Sequence, residues 1–144
     1  MSRKNFHDLH LESMTQLNSH SFKHPLFEEP LPGHLFLSQQ LPIQGSEIGM
    51  HCLEAFKAIP YYHKHTLNEG TYIFYSGEGE FQVDGKIIPI REGSIIHVKP
   101  QGIRTWRNTS DRPLFWICIQ SSHACEFKGD IQDGTAFKKE VTWS

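Results

Sequence analysis

At 144 residues the chain is about one domain long and can bury a real core, and its 14 Lys plus Arg stand against 16 Asp plus Glu for a net charge of −2. No basic stripe accompanies that balance, which excludes nucleic acid as an expected partner. Cys52, Cys118 and Cys125 show no CxxC spacing, no apolar run is long enough to span a membrane, and the first residues lack a signal-peptide pattern, so a soluble, reducing, cytoplasmic setting is expected.

Residues 1–46 read as an N-terminal arm with extra strands. The first 24 residues are polar and histidine-rich, and Phe6, Leu9, Met14 and Leu17 are spaced to share one helical face. Pro25, Pro30, Pro32 and Pro42 then cut the chain into short extended pieces. From about residue 47 short strands alternate with turn residues. Ile48 to Phe56 is the first, ending before Pro60, and the β-branched and aromatic run Tyr72 to Tyr75 is the second. Phe81 and Val83 alternate with Gln82 and Asp84, and Asp84-Gly85 is a two-residue hairpin turn that sets Phe81 opposite Ile88. Glu92-Gly93 turns the chain into Ser94 to Val98, and Pro100-Gln101-Gly102 breaks it. Ile103 to Asn108 and Leu114 to Gln120 complete an all-β series over residues 47–120, the pattern of an antiparallel sandwich or barrel. Residues 121–144 form a C-terminal extension, packed on the barrel or swapped between barrels.

The chemistry concentrates at His63 and His65. Two histidines one residue apart project the same way from an extended chain, and the Glu69 carboxylate follows four residues later. Two imidazoles and one carboxylate suit borderline divalent metals, and with open positions they suit non-haem Fe(II) chemistry. The chain carries ten histidines, most of them expected at the surface. The aromatic residues, Trp116 and Phe74 among them, are expected mostly in the barrel core, with Cys118 a buried thiol.

His63, His65, Glu69 and Gly77, followed by Gly93, Pro100, Gly102 and Asn108, resemble the two motifs of the cupin superfamily, over about residues 47 to 120. The resemblance implies a double-stranded β-helix, or jelly roll. It also implies a pocket at the HxH pair and a divalent metal such as Fe, Mn, Zn or Ni. Two departures qualify the metal. The position that the family gives to its last metal-binding histidine holds Arg104, or Thr105 if a gap is allowed, and neither is a histidine. A guanidinium carries its charge and offers no lone pair. Counted back from Gly77, the family's glutamate position falls on Gly70, so Glu69 reaches the metal only if Gly70 makes a bulge.

His97, on the strand before the Pro-Gly turn, is the candidate to replace the missing ligand, with His51 behind it. Arg104 either pairs with a carboxylate such as Glu69 or binds an anionic ligand through its planar fork. A divalent cation beside a buried guanidinium would be repelled by several kcal/mol at an effective dielectric of about 20. Trp106 is expected to share the face of Arg104 and wall the pocket, and Tyr72 to supply a polar hydroxyl. Two functions follow. One is a metal-dependent enzyme acting on a small carboxylate-bearing substrate that Arg104 anchors. The other is a metal-free binding or sensing module with an Arg/His anion pocket and no catalysis. The resemblance also implies a homodimer, since small cupins usually associate by their sheet edges and arms, and pairing would remove exposed strand edges as well.

Overall fold

The computed structural model describes residues 5–124 and 139–143. Among these, ten strands run in chain order: β1 Ser21–Phe22, β2 Leu31–Pro32, β3 His34–Phe36, β4 Ser46–Leu53, β5 Asn68–Ser76, β6 Glu78–Val83, β7 Lys86–Arg91, β8 Ile95–Val98, β9 Arg104–Asn108 and β10 Leu114–Ser122. They form a five-stranded sheet in the order β3-β4-β10-β5-β8, a three-stranded sheet β7-β6-β9, and the small β1-β2 pair. Every pairing is antiparallel.

Alternation decides which side chains meet between the two larger sheets. Tyr72, Phe74, Trp116 and Cys118 point inward from the five-stranded sheet, and Phe81, Ile90 and Trp106 from the three-stranded one. Trp106 stacks on Phe81 at 5.2 Å and meets Trp116 edge-on at 5.6 Å, closing the core across the sandwich. The hairpin forms as its turn residues require: Asp84 and Gly85 both take positive φ, and Phe81 lies opposite Ile88.

Three expectations are corrected. The residues Phe6, Leu9, Met14 and Leu17 do not share a helix. Only the short 3₁₀ turn Met14–Ser19 forms, with Leu17 buried while Phe6 and Leu9 stay exposed. A six-residue 3₁₀ turn cannot present a periodic face, and Leu17 is instead buried by Leu35 and Cys52 on the outer side of β3 and β4. The first long strand ends at Leu53 rather than Phe56, because Phe56 turns the chain at a φ of 60°. Finally, Tyr62, one of the aromatic residues expected mostly in the core, is exposed. The proposed role of residues 121–144 falls mostly on residues outside those described. No helix among the described residues is long and apolar enough to cross a membrane.

Candidate functional site

The inner face of the five-stranded sheet is a grid whose rows follow from strand register. One row runs His34, His51, Trp116, Phe74 across β3, β4, β10 and β5. The next runs Phe36, Gly49, Cys118, Tyr72, Ile96, reaching β8. Residues paired directly across an antiparallel ladder place their side chains on one face, so each row is a line of neighbours. Glycine leaves a gap at two inward positions. A Cβ on Gly49 would stand 2.2 Å from His51 Nε2, and one on Gly70 3.2 Å from Tyr72 Cε2. The rings two residues further on lie down into these gaps. His51 thereby stacks on Trp116 at 5.3 Å.

The opposite wall is built by β9 and the segment beside it. His63 N–H donates to Arg104 O at 3.1 Å and Arg104 N–H to His63 O at 3.0 Å, a two-way bridge that sets both side chains on the same face. His65 N–H donates to Pro100 O, continuing the attachment. The rings of His63 and His65 lie 5.5 Å apart, and His63 packs edge-on against Trp106. His63, His65, Tyr72, Trp106, Trp116 and Cys118 line one cavity of about 260 Å³. Tyr61, His24 and the His34–His51 pair line it as well.

Arg104 is fully buried (0 % exposed) and sits just behind that lining, its charge felt at His63, His65, Tyr72 and Cys118. Its Nη2 donates to Lys99 O at 3.0 Å, while Nε and Nη1 have no partner among the described residues. Trp106 Nε1, Trp116 Nε1 and His63 Nδ1 are also buried without partners among the described residues. Burial, reinforced by the Arg104 charge, pushes His63 down to about 4 and lowers His65. Burial also raises Tyr72 and pushes Cys118 up to about 11, so both stay protonated near neutral pH.

The expected metal set comes apart. His63 and His65 face the cavity, as do Tyr72 and Trp106. Glu69 and His97 do not. Gly70 and Tyr72 point inward, and β5 runs from Asn68 to Ile73 against β10 with no bulge at Gly70, so Glu69 lies on the outer face. There Glu69 Oε2 accepts a bond from His123 Nδ1 at 2.6 Å and faces His97 Nε2 at 3.4 Å. His97 pairs with Thr71 across the ladder, on that same outer face, and its side chain is 48 % exposed. Arg104 does not pair with Glu69 or with any other carboxylate among the described residues. Among the described residues a metal would therefore find two imidazoles, no third ligand converging on them, and a guanidinium alongside. The described residues hold no group of three His, Cys, Asp or Glu side chains suited to a metal ion, and the donor set does not fit one.

The sequence pattern offered His51 only as a fallback metal ligand and missed His24 and His34, which also line the cavity. His51 is marked by its inward place between Gly49 and Leu53 on β4, but its partner His34 comes from the arm through strand pairing. No local signal in the sequence joins the two.

Residues 53–120 match the family model described as Cupin domain. Among solved structures, a cupin protein from Bacteroides fragilis is 26 % identical, with a TM-score of 0.68, over 81 % of this chain and 97 % of that one. A predicted oxalate decarboxylase from Thermotoga maritima is 19 % identical over 65 % of this chain and 79 % of that one, with a TM-score of 0.54. A sugar phosphate isomerase from Silicibacter pomeroyi, itself of the cupin superfamily, is 14 % identical over 61 % of this chain and 57 % of that one, with a TM-score of 0.56. The last two share the fold alone. No curated protein matches the sequence.

Proposed function

Residues 53–120 are a cupin domain, and from that premise we propose that the cavity binds a small organic anion, a carboxylate, without a resident metal. The observation that carries this is an imbalance between donors and acceptors. Among the described residues, no aspartate or glutamate lines the cavity. Around and behind it, buried N–H groups of Arg104, Trp106 and Trp116 have no partner among the described residues. An unpaired buried donor costs about 1–3 kcal/mol, more for a charged one, so several at one place call for an acceptor-rich guest. Lys64 at the cavity adds a second positive charge. His63 and His65, kept neutral by burial, offer directional hydrogen bonds, and Tyr72 offers a protonated hydroxyl. The aromatic lining encloses the apolar body of the ligand. Binding and orientation are what this chain's own residues supply.

Thermal-shift screening of small carboxylic acids against the wild type and Arg104→Gln tests the proposal. Acids that stabilise the wild type and lose most of that effect in Arg104→Gln support it. If no acid stabilises the wild type more than the variant, the anion pocket is wrong. Metal analysis of untagged protein and of His63→Ala checks the other half: stoichiometric metal that disappears in the variant would restore the metal-dependent alternative.

A further inference from the structure

Rings make up most of the cavity wall. Among the described residues, eleven of the fifteen that line it carry an aromatic or imidazole ring, and Ile59 is the one branched aliphatic side chain. The rings come from all around: Phe22 from β1, Phe36 from β3, His63 from the segment before β5, Tyr72 from β5, Trp106 from β9 and Trp116 from β10. Leucine, isoleucine or valine would satisfy burial at such positions equally well. What rings add is geometry. Trp106 is met edge to face by Tyr72 at 5.0 Å and 62°, by Trp116 at 5.6 Å and 87°, and by His63 at 5.7 Å and 65°. Its stacking partner Phe81 belongs to the core and does not line the cavity. Tyr72 is 5.0 Å from Phe81 as well, so it stands beside that stack and not over the far face of Trp106.

We propose that the acid bound here is an aromatic one, its ring packed on the wall around Trp106 and its carboxylate turned to the Arg104 end. This rests on the acid-binding function proposed above and names the body of the ligand. A guest ring continues the edge-to-face pattern of the wall. Each aromatic ring has a negative face and a positive edge, so every well-oriented pair adds binding beyond the area it buries. A saturated ring lacks that quadrupole and gains from burial alone. Size agrees: a cavity of about 150 Å³ takes up benzene, and this one, of about 260 Å³, has room for a ring and its carboxylate. An acid rich in hydroxyls fits less well. Its O–H groups need acceptors, whereas the unpartnered N–H groups of Arg104, Trp106 and Trp116 are donors and no carboxylate among the described residues lines the cavity.

The test compares acids matched except for the ring: benzoate with cyclohexanecarboxylate, and phenylacetate with cyclohexylacetate, by calorimetric titration near neutral pH, where all of them are ionised. Within each pair the carboxylate is the same and the saturated ring is the bulkier, so burial of apolar area alone would favour the saturated acid. In at least one pair the aromatic acid is expected to bind about tenfold more tightly, the worth of one or two well-oriented ring pairs. Nuclear Overhauser contacts in the wild type give a second readout that needs no variant. Ring protons of the bound aromatic acid should show them to the indole protons of Trp106. Saturated acids that bind as tightly as the aromatic ones in both pairs, or more tightly, overturn the aromatic assignment and leave the acid pocket standing. So does a bound aromatic acid without contact to Trp106. Failure of every acid to bind overturns both.

Discussion

Arg104 is a costly residue for the ligand-free protein. It is fully buried, with one hydrogen bond to Lys99 O and no carboxylate beside it among the described residues. A buried charge without a partner is retained at the expense of stability, and replacement of such groups by apolar residues of similar size is often stabilising. Arg104→Met is therefore expected to raise unfolding stability by about 1–3 kcal/mol while abolishing acid binding, as read by urea denaturation and by thermal shift with added acid. A loss of stability would instead assign Arg104 a structural role. At this scale the sequence was partly legible. His63, His65, Tyr72, Arg104 and Trp106 could be named because the motif spacing and period-two alternation place them. Glu69 and His97 went astray for one reason: a single position decides which face of a strand a side chain takes, and the order of residues does not disclose whether Gly70 bulges.

Between elements, Asn108 is the tie. It is buried at the end of β9, and its Nδ2 is shared among Leu53 O, Glu54 O and Arg112 O, while its Oδ1 accepts from Ser110 N and Oγ. One amide thus joins the end of β4 to the connection between β9 and β10. Asn108→Ala leaves buried carbonyls without a donor and is expected to cost about 2–4 kcal/mol in denaturant unfolding. Asn108→Asp should be at least as damaging, because it turns the shared donor into a negatively charged acceptor facing those carbonyls; near-native stability in both would refute the tie. Strand existence was legible through turn residues such as Asp84-Gly85 and Glu92-Gly93. The start of the chain was not, because Leu17 is buried by contact with Leu35 and Cys52, far along the sequence, rather than by a local period. Strand β4 hides its own pattern for the same reason: His51 faces the cavity, Cys52 faces the arm, and both are buried. A strand covered on both sides loses the alternation that would orient it.

Across the whole molecule, the buried histidines make folding itself sensitive to acid. His34 and His63 titrate near 4 in the folded protein against an ordinary value of 6.5, with His51 and His65 lowered as well. Between those values the unfolded chain binds protons that the folded one refuses, so stability falls as pH drops from about 6.5 toward about 4. Glu69 works in a lower window. Its bonds to His123 and His97 hold it below the usual carboxylate range, so its contribution is present above 4.5 and lost as pH falls through its own titration. The decline between about 6.5 and 4.5 therefore belongs to the histidines. Thermal denaturation from pH 8 to about pH 4 is expected to show a near-constant midpoint above about pH 7 and a progressive fall below it. Joint replacement of His34 and His51 by Gln should make that fall shallower, since two of the four groups are removed and only His63 and His65 remain. An unchanged slope would mean that His34 and His51 take up protons equally in the folded and unfolded states, against the burial that lowers both.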